Sequence, residues 1–471
     1  MRQNYLFLCI ALFGFYCVQA QTFDVETIQN NGDSDKLINI VIMGDGYTAA
    51  QQSAFISKAQ GLSNYLFTQT PWANYKNYFN VYAIKVISNE SGAKHNNTSS
   101  DCNLASPLVP VSNPDNYFGS RFDNYDIHRL IIATDATRIA NVLAANLPNY
   151  DEVIIIANTP YYGGSGGTYA TITANSSANE ILAHEIGHTF GPLADEYYAG
   201  DIYFDEQINM TQQSDPEQIK WKNWLNSDEG IGIHNYCCGG NSALWSKPTN
   251  FGCKMQQLGL PYCAVCREGI IEKIHSLVNP ILNYTPTATT VNSADSFINF
   301  NLTELLKPIP NTLEISWQLD GVILDNNLET LQLDQTSLPV GIHTLTANVT
   351  DASEYVRTDN HASIHVNSVT WTIDRSALGV SLTSSKNKMA FTVFPNPSSD
   401  IVNFVIDMDK DSTLSIEILT TDGKIVQQYA TQKISKGKYQ DTLQLRNLAS
   451  GTYVIAFKLN GTVYPKIIVK H

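Results

Sequence analysis

The chain has little basic charge and, beyond its first residues, no long apolar run. It carries 29 Lys and Arg against 44 Asp and Glu, for a formal net charge of −15. An acidic body repels phosphate backbones and anionic lipid surfaces, so we expect neither as a partner. After residue 20 no stretch approaches about 18 consecutive apolar residues, so we expect no transmembrane span. These absences exclude nucleic-acid binding and membrane-embedded classes of function.

Several ligand-binding signatures are also missing. The glycine-rich run at residues 161–167, YYGGSGG, is followed by no Gly-Lys-Ser/Thr and lacks the spacing of a dinucleotide fingerprint. Two compatible interpretations are a bulged connection and an edge strand whose open backbone groups hold an extended peptide. Calcium would suit an acidic exported protein, but we find no calcium loop. Residues 21–35 are too few for a folded inhibitory propeptide.

Residues 1–20 have the pattern of a secretory signal peptide. Arg2 supplies the positive charge, residues 6–18 are apolar, and V-Q-A at 18–20 fits the small-residue cleavage rule. We therefore expect export through the periplasm, with a mature chain that begins at Gln21.

Cysteine is scarce, and none follows residue 266. Two of the eight cysteines lie in the signal peptide, which leaves Cys102, Cys237, Cys238, Cys253, Cys263 and Cys266. An even number in an exported protein favours disulfides. The alternative is a structural zinc site built from the pair at 237–238 and the C-x-x-C motif at 263–266.

Residues 184–188 read H-E-I-G-H, the most informative pattern in the chain. In a helix, His184 and His188 lie one turn apart on the same face, where both imidazoles can hold one zinc ion. Glu185 then faces the water that the metal activates and serves as catalytic base. Ser177 is a candidate helix cap with Glu180 completing a capping box. The competing interpretation is a buried helix whose histidines are satisfied by hydrogen bonds.

The third zinc ligand departs from the extended metzincin pattern, which places His three residues after the glycine. Here that position is Ala194, and Asp195 follows it. We expect Gly191 to end the helix in a left-handed conformation and to turn the chain back toward the metal. Asp195 is the predicted third ligand, and Glu196 is the alternative.

The pattern of elements predicts several domains. Residues 36–276 alternate strand and helix, which indicates a mixed α/β sheet with helices packed on it. The predicted strands are 37–43, 80–87, 128–133 and 153–158, and the predicted helices are 48–67, 136–146 and the zinc helix. From about residue 279 short strands and turns predict an immunoglobulin-like β-sandwich. Residues 376–389 read as a linker before a last, small all-β unit.

The first part of the chain resembles the IgA-peptidase family of zinc metallopeptidases, a metzincin-like group. The matching motifs are IMGDGYT (42–48), FNVY (79–82), ESG (90–92), YGGSGG (162–167), the zinc helix through DEY (195–197), CKM (253–255) and YCAVCR (262–267). The resemblance implies a zinc endopeptidase with His184, His188 and Asp195 as ligands and Glu185 as base. It makes Met255 the Met-turn residue beneath the zinc, against the alternative of an ordinary core methionine.

The C-terminal unit resembles the sorting domain of the type IX (Por) secretion system. Its motifs are FPNP (394–397), DG (422–423), LASGTY (448–453) and the basic KIIVK (466–470). The resemblance implies a secreted or surface-attached protein whose partner in export is the type IX machinery.

The expected domains are therefore a signal peptide (1–20), a metzincin-like catalytic domain (21–278), an immunoglobulin-like sandwich (279–375), a linker (376–389) and a sorting domain (390–471). The predicted function is hydrolysis of peptide bonds in extracellular proteins by a monomer with one catalytic zinc. Tyr197 and Tyr262 are candidate oxyanion donors, and the competing interpretation, which we favour for both, is a structural role. The family name suggests immunoglobulin A, although nothing reads as a pocket for its hinge. The alternative function is a surface adhesin with a vestigial peptidase domain.

Overall fold

A computed structural model describes residues 21–198, 205–292, 295–375, 391–421 and 423–471. The predicted signal peptide, the predicted linker and Asp422 of the DG motif lie outside these ranges. The chain is mixed α/β, with several sheets and few helices. It divides into two compact units, Met1–Arg375 and Ser376–His471.

The first unit is built on a six-stranded sheet. Its strands are β1 (Val25–Gln29), β2 (Ile38–Asp45), β3 (Phe79–Ile84), β4 (Glu152–Ala157), β5 (Gly164–Ser165) and β6 (Ala170–Thr173), in the order β1-β3-β2-β4-β6-β5. The four inner strands are parallel, whereas β1 and β5 are antiparallel to their neighbours. All of β2 is buried, which explains its continuous apolar run, since parallel strands are covered on both faces.

Helices cover both faces of this sheet. The helices are α1 (Gln52–Leu66), α2 (Ala136–Asn146), α3 (Ala178–Thr189) and α4 (Ala264–Leu277). Ile40 and Ile42 of β2 belong to the core that α1, α3 and α4 share, while Val41 and Met43 pack with α2. None of the helices in the described ranges is both long and apolar enough to cross a membrane.

The strand predicted at residues 128–133 is wrong. The segment forms only isolated bridges, from Ile132 to Arg121 and from Leu130 to Gly164. A turn in which the Leu130 amide donates to the Ile127 carbonyl interrupts it. Its apolar residues are buried against the edge of the sheet rather than within a ladder, and periodicity cannot distinguish the two cases.

The rest of the first unit is mostly β-structure. A small pair, β7 (His234–Asn235) and β8 (Ser246–Lys247), precedes α4. Two sheets follow, with strands β9 (Ile281–Thr285), β10 (Thr290–Val291), β11 (Phe297–Leu305), β12 (Leu313–Leu319), β13 (Val322–Asn326), β14 (Thr330–Asp334), β15 (Ile342–Asp351) and β16 (Asn367–Asp374). Their orders are β10-β16-β15-β12-β13 and β14-β11-β9, and one short helix, α5 (His361–Ile364), precedes β16. Trp317 and Trp371 stack in the core between them.

Polar contacts tie this β-region to the helical part of the same unit. The buried carboxylate of Asp351 accepts hydrogen bonds from Tyr75 (2.7 Å) and lies 3.0 Å from His275 Nε2 on α4. Glu272, also on α4, lies 2.6 Å from both His361 and His365. The β-region is therefore packed directly against α4.

The second unit is all-β. Its strands are β17 (Phe391–Phe394), β18 (Ile401–Met408), β19 (Ser412–Thr420), β20 (Ile425–Gln428), β21 (Gln432–Ile434), β22 (Gly437–Gln444), β23 (Gly451–Leu459) and β24 (Thr462–Lys470). They form a β17-β18-β22 sheet and a second sheet in the order β20-β19-β23-β24, with β21 beside β19. Val402, Phe404 and Ile406 alternate inward along β18, as expected of a sheet with one buried face.

Candidate active site

The two histidines of the zinc motif project from one face of α3, and each is oriented by a backbone carbonyl. Nδ1 of His184 lies 2.9 Å from the Lys254 carbonyl oxygen, and Nδ1 of His188 lies 2.7 Å from that of Leu193. A carbonyl only accepts, so each Nδ1 carries the proton and each Nε2 is left as a lone-pair donor. Metal-binding histidines are held in this way in proteins.

Asp195 completes a three-ligand cluster. The two Nε2 atoms are 3.2 Å apart, and Asp195 Oδ1 lies 3.0 Å from that of His184 and 3.3 Å from that of His188. Tetrahedral zinc with nitrogen and oxygen ligands separates them by about 3.3–3.5 Å. The observed distances agree to within a few tenths of an ångström, so the residues fit a zinc ion with an open fourth position.

The turn that delivers Asp195 differs from the expectation. Gly191 does not have a positive φ. The helix ends at Thr189, and the Leu193 amide donates to the Gly187 carbonyl at 3.0 Å. A Cβ on residue 191 would lie 2.9 Å from that carbonyl and 3.0 Å from Ile270. Glycine is required here because the backbone packs closely against α3 and α4, not because of a left-handed conformation.

The N-terminal end of α3 also differs from the expectation. Ser177 is the N-cap residue but makes no side-chain cap hydrogen bond. Glu180 instead accepts from Lys254 Nζ at 2.6 Å, from Tyr65 and from the Gly259 amide. The predicted capping box is absent because a buried lysine recruits its glutamate.

Met255 lies directly beneath the histidine pair. It is fully buried, and a Cβ on Gly187, between the two histidines, would lie 2.7 Å from its sulfur. The carbonyl of Met255 accepts from the Glu196 amide at 2.8 Å, which links this segment to the third ligand. Met255 therefore packs against α3 between the two histidines, and its role as a Met-turn residue stays a prediction.

Glu185 is packed against strand β5. It is 9% exposed, and a Cβ on Gly164 would lie 2.6 Å from its Oε1 atom. Burial raises the pKa of the Glu185 carboxyl, which the nearby charges of His184, His188 and Arg129 partly oppose. A raised carboxyl pKa suits a group that must both take and release a proton near neutral pH.

The charges of the cluster compensate one another. Burial alone would lower the pKa of His188, but the Asp195 charge outweighs it and raises that pKa to about 9. Burial alone would raise the pKa of Asp195, but the two histidines hold it well below its usual range. The Asp195 carboxylate and the two imidazoles therefore each favour the charged form of the other.

A cleft of about 850 Å³ opens over the three ligands and Glu185. Its lining includes Gly166 and Gly167 after β5, and Arg129 and Leu130 from the loop opposite. The edge of β5 is not fully open, because the Gly164 amide donates to the Arg129 carbonyl at 3.2 Å. An extended peptide would thus have the backbone beyond Gly164, rather than the whole strand, as its partner.

The two candidate tyrosines lie in different places. Tyr197 lines the cleft, its ring stacked 6.2 Å from that of His184 and facing the Arg129 guanidinium. Tyr262 is fully buried and donates its hydroxyl to the Ala183 carbonyl. Only Tyr197 is therefore placed to reach a substrate.

Glu196, the alternative third ligand, lies in a separate buried cluster with Cys253, Cys263 and Cys266. Its Oε1 accepts from Asn209 at 3.0 Å and its Oε2 from Thr249 at 2.5 Å. The three cysteines are free thiols, as is Cys102, while Cys237 and Cys238 form a disulfide with each other.

Comparison with family models adds to this geometry. Residues 26–234 match the model of IgA Peptidase M64, and residues 392–470 match that of the Secretion system C-terminal sorting domain. The M64 match contains the three candidate ligands and Glu185, whereas Met255 lies beyond it. Both resemblances drawn from the motifs are confirmed, and the sorting domain places the protein at the cell surface or outside the cell.

No curated protein matches the chain. Matches among solved structures include a Bacteroides ovatus mixed-linkage glucan utilization locus SGBP-B in complex with a heptasaccharide (11% identity, TM-score 0.17, 40% of this chain and 47% of that one). A Bacteroides uniformis beta-glucuronidase 3 (8%, 0.18, 48% and 28%) and a Parabacteroides merdae beta-glucuronidase (9%, 0.18, 71% and 40%) also match. The chain spans less than half the length of each, and such scores are too low to indicate a shared fold.

Sequence reasoning missed the groups that orient the ligands. The carbonyls of Leu193 and Lys254 carry no side-chain signal, and Arg129 is 55 positions or more from any zinc ligand. The glycine run at 161–167 was the one sequence signal for this side of the site, because glycines near the predicted zinc helix indicate that another backbone or a ligand approaches closely there.

Proposed function

We propose that this peptidase is a zinc-dependent endopeptidase of the metzincin type, secreted to act on extracellular proteins. The observation that carries the proposal is the convergence of two carbonyl-oriented Nε2 atoms and one carboxylate oxygen beside a buried glutamate. His184, His188 and Asp195 would hold the ion. Zinc bound there would supply Lewis acidity, polarising a scissile carbonyl and making water nucleophilic at neutral pH.

Glu185 acts as the general base and then as the general acid. Its carboxylate takes a proton from the attacking water and later passes it to the leaving amine. Its close contact with β5 and its raised pKa both support this role. Tyr197 is the proposed oxyanion donor, because its hydroxyl is the one tyrosine hydroxyl among the two candidates that lines the cleft.

The cleft supports cleavage within a chain. The backbone at Gly166 and Gly167 offers hydrogen-bonding groups on one side, and Ile127, Leu130 and Tyr162 offer apolar contact. We place the catalytic domain at 21–278, with an immunoglobulin-like sandwich at 279–375 and the sorting domain at 390–471. Immunoglobulin A belongs in the substrate panel on the strength of the family description alone.

The test is Glu185→Gln in the purified full chain, assayed on casein, immunoglobulin A and a peptide library. We expect a loss of about 10²–10⁴-fold in kcat, with zinc content unchanged. The matched control is Glu152→Gln, since burial raises the pKa of that glutamate to about 8 and its carboxylate accepts a hydrogen bond from Thr189 without lining the cleft. Wild-type rates in the zinc-loaded Glu185 variant would refute the mechanism.

A further inference from the structure

A second cluster of metal-ligand side chains lies outside the catalytic centre. It contains His95, Cys102, Asp123 and His128, each of which offers one ligand atom within 4.8 Å of all the others. His95 is 1% exposed, Cys102 and His128 are each 5% exposed, and the Asp123 side chain is 2% exposed. Two imidazoles, a thiol and a carboxylate are thus withdrawn from water together.

The distances in this cluster are close to those of a tetrahedral site. His95 Nε2 lies 3.8 Å from Cys102 Sγ and 3.4 Å from Asp123 Oδ2, and Cys102 Sγ lies 3.3 Å from Asp123 Oδ1. Zinc–ligand bonds of about 2.0–2.3 Å put neighbouring ligand atoms about 3.3–3.8 Å apart. His95, Cys102 and Asp123 would therefore bind one common ion without rearrangement of their side chains.

The surrounding hydrogen bonds also suit a metal. Nδ1 of His95 faces the Pro110 carbonyl oxygen at 3.1 Å, which leaves Nε2 as a lone-pair donor. Nδ1 of His128 lies 2.8 Å from Asp123 Oδ1, while its Nε2 is buried without a partner among the described residues. Within the same ranges no Lys or Arg pairs with Asp123. The cluster lacks a permanent cation.

We propose that His95, Cys102, Asp123 and His128 bind a second, structural zinc ion. Imidazole, thiolate and carboxylate are the ligand types that zinc takes in proteins, and four protein ligands close the site to substrate. This assignment is independent of the catalytic zinc and of the peptidase mechanism.

The second site would hold one wall of the catalytic cleft. Its ligands come from two loops, at 95–102 and 123–128, in which Asn97, Asp123, Tyr125 and Asp126 have φ between 54° and 63°. Non-glycine residues keep this conformation only where surrounding contacts enforce it. The second loop continues into Arg129 and Leu130, which line the cleft and pair with Gly164. The ion would thus fix this wall against β5.

The decisive test compares Asp123→Asn with Asp126→Asn. Both carboxylates lie in the same loop and accept hydrogen bonds from the first loop, Asp123 from the Thr98 amide and Asp126 from Ser100, but only Asp123 is a proposed ligand. Elemental analysis of the full chain should show one zinc per chain fewer in Asp123→Asn and no loss in Asp126→Asn. Equal zinc in both variants and in wild type would overturn the proposal.

A spectroscopic test reports the ligand type directly. In the cobalt-substituted full chain, a thiolate ligand produces a near-ultraviolet charge-transfer band that histidine and carboxylate ligands do not. Cys102→Asp should keep the cobalt stoichiometry and lose this band, because Cys102 is the one thiol among the proposed ligands, and His188→Ala should lose one cobalt and keep the band. An unchanged band in Cys102→Asp would refute the site, whereas retained cobalt in His188→Ala would count against the catalytic centre alone.

Discussion

Replacing Gly164 by alanine should separate metal binding from catalysis. Gly164 does not have a positive φ, so its backbone conformation tolerates alanine. The added Cβ, however, would lie 2.6 Å from Glu185 Oε1 and 2.4 Å from Ile181 Cγ2. To reach the 3.4 Å of ordinary contact, the carboxylate must retreat by about 0.8 Å and the isoleucine by about 1 Å. Both neighbours lie on α3, so the helix and β5 must move apart.

Two effects of different size follow from this clash. Overpacking of this kind costs about 1–3 kcal/mol of folding stability. A displacement of about 1 Å in a catalytic group costs about 10²-fold in rate. We therefore expect kcat of Gly164→Ala to fall about 100-fold and the melting temperature to fall by a few degrees. Zinc content should not change, because the atoms nearest to the new methyl group belong to Ile181 and Glu185 rather than to the proposed ligands.

The assay is kcat on a fluorogenic peptide together with zinc analysis and thermal melting. The control is Gly61→Ala, where an added Cβ meets nothing within 4 Å. Gly61 lies inside α1, so that variant should gain up to about 1 kcal/mol of stability and keep its activity. If Gly164→Ala retained the wild-type kcat with zinc bound, the contact between β5 and Glu185 would have no part in catalysis.

Three further outcomes are expected. Met255→Leu, which conserves volume, should cost less than about 1.5 kcal/mol of stability and retain zinc, whereas loss of zinc would show that the sulfur itself supports the ligands. The pKa of His188 is raised to about 9, so zinc must displace a proton from that imidazole when it binds. The affinity of the site for zinc, measured by competition with a chelator, should therefore rise about tenfold per pH unit below pH 9. An affinity that does not change with pH would contradict this charge balance. In the Glu272–His361 pair, burial alone would lower the pKa of His361 and raise that of Glu272. The hydrogen bond and the charge of the partner outweigh burial in both cases, so the pKa of His361 is raised and that of Glu272 is lowered. Stability from His361 is fully present below its unfolded pKa of about 6.5 and is lost as pH rises through the folded value, while that from Glu272 is present above about 4.5 and is lost as pH falls through its folded value. Melting temperatures of wild type should therefore peak in mildly acidic buffer, and Glu272→Gln should flatten that peak; identical profiles would exclude the pair as the source.

Local patterns were sufficient wherever an element is defined by its own periodicity. The helix at 136–146 was predicted at the bounds observed. The buried strand β2 was recognised from its unbroken apolar run. The strand predicted at 128–133 was wrong because that segment has the apolar pattern of a strand but is buried by contacts with residues elsewhere in the chain, such as Arg121 and Gly164.

In the zinc motif, too, local spacing predicts some features and tertiary contacts decide the others. Helical spacing alone puts His184 and His188 on one face, and the motif alone is the source of the predicted role of Glu185. The spacing after Gly191 left Asp195 and Glu196 both available, and the fold separates them: the Asp195 oxygen meets the two Nε2 atoms, while Glu196 lies among buried thiols. A one-residue difference along a loop reverses the direction of a side chain, and only packing against Met255 and α4 decides which carboxylate faces the cleft.

Residues close together in the chain were sufficient to predict the peptidase and sorting domains, a candidate zinc helix and Glu185 as its base. Only the folded chain shows which carbonyls orient the two histidines, why glycine is needed at 164, 187 and 191, and which of the two tyrosines lines the cleft. It also brought His95, Cys102, Asp123 and His128 together. Those four are scattered singly over 34 residues in no known spacing, and a site assembled by two loops becomes visible only when the chain has folded.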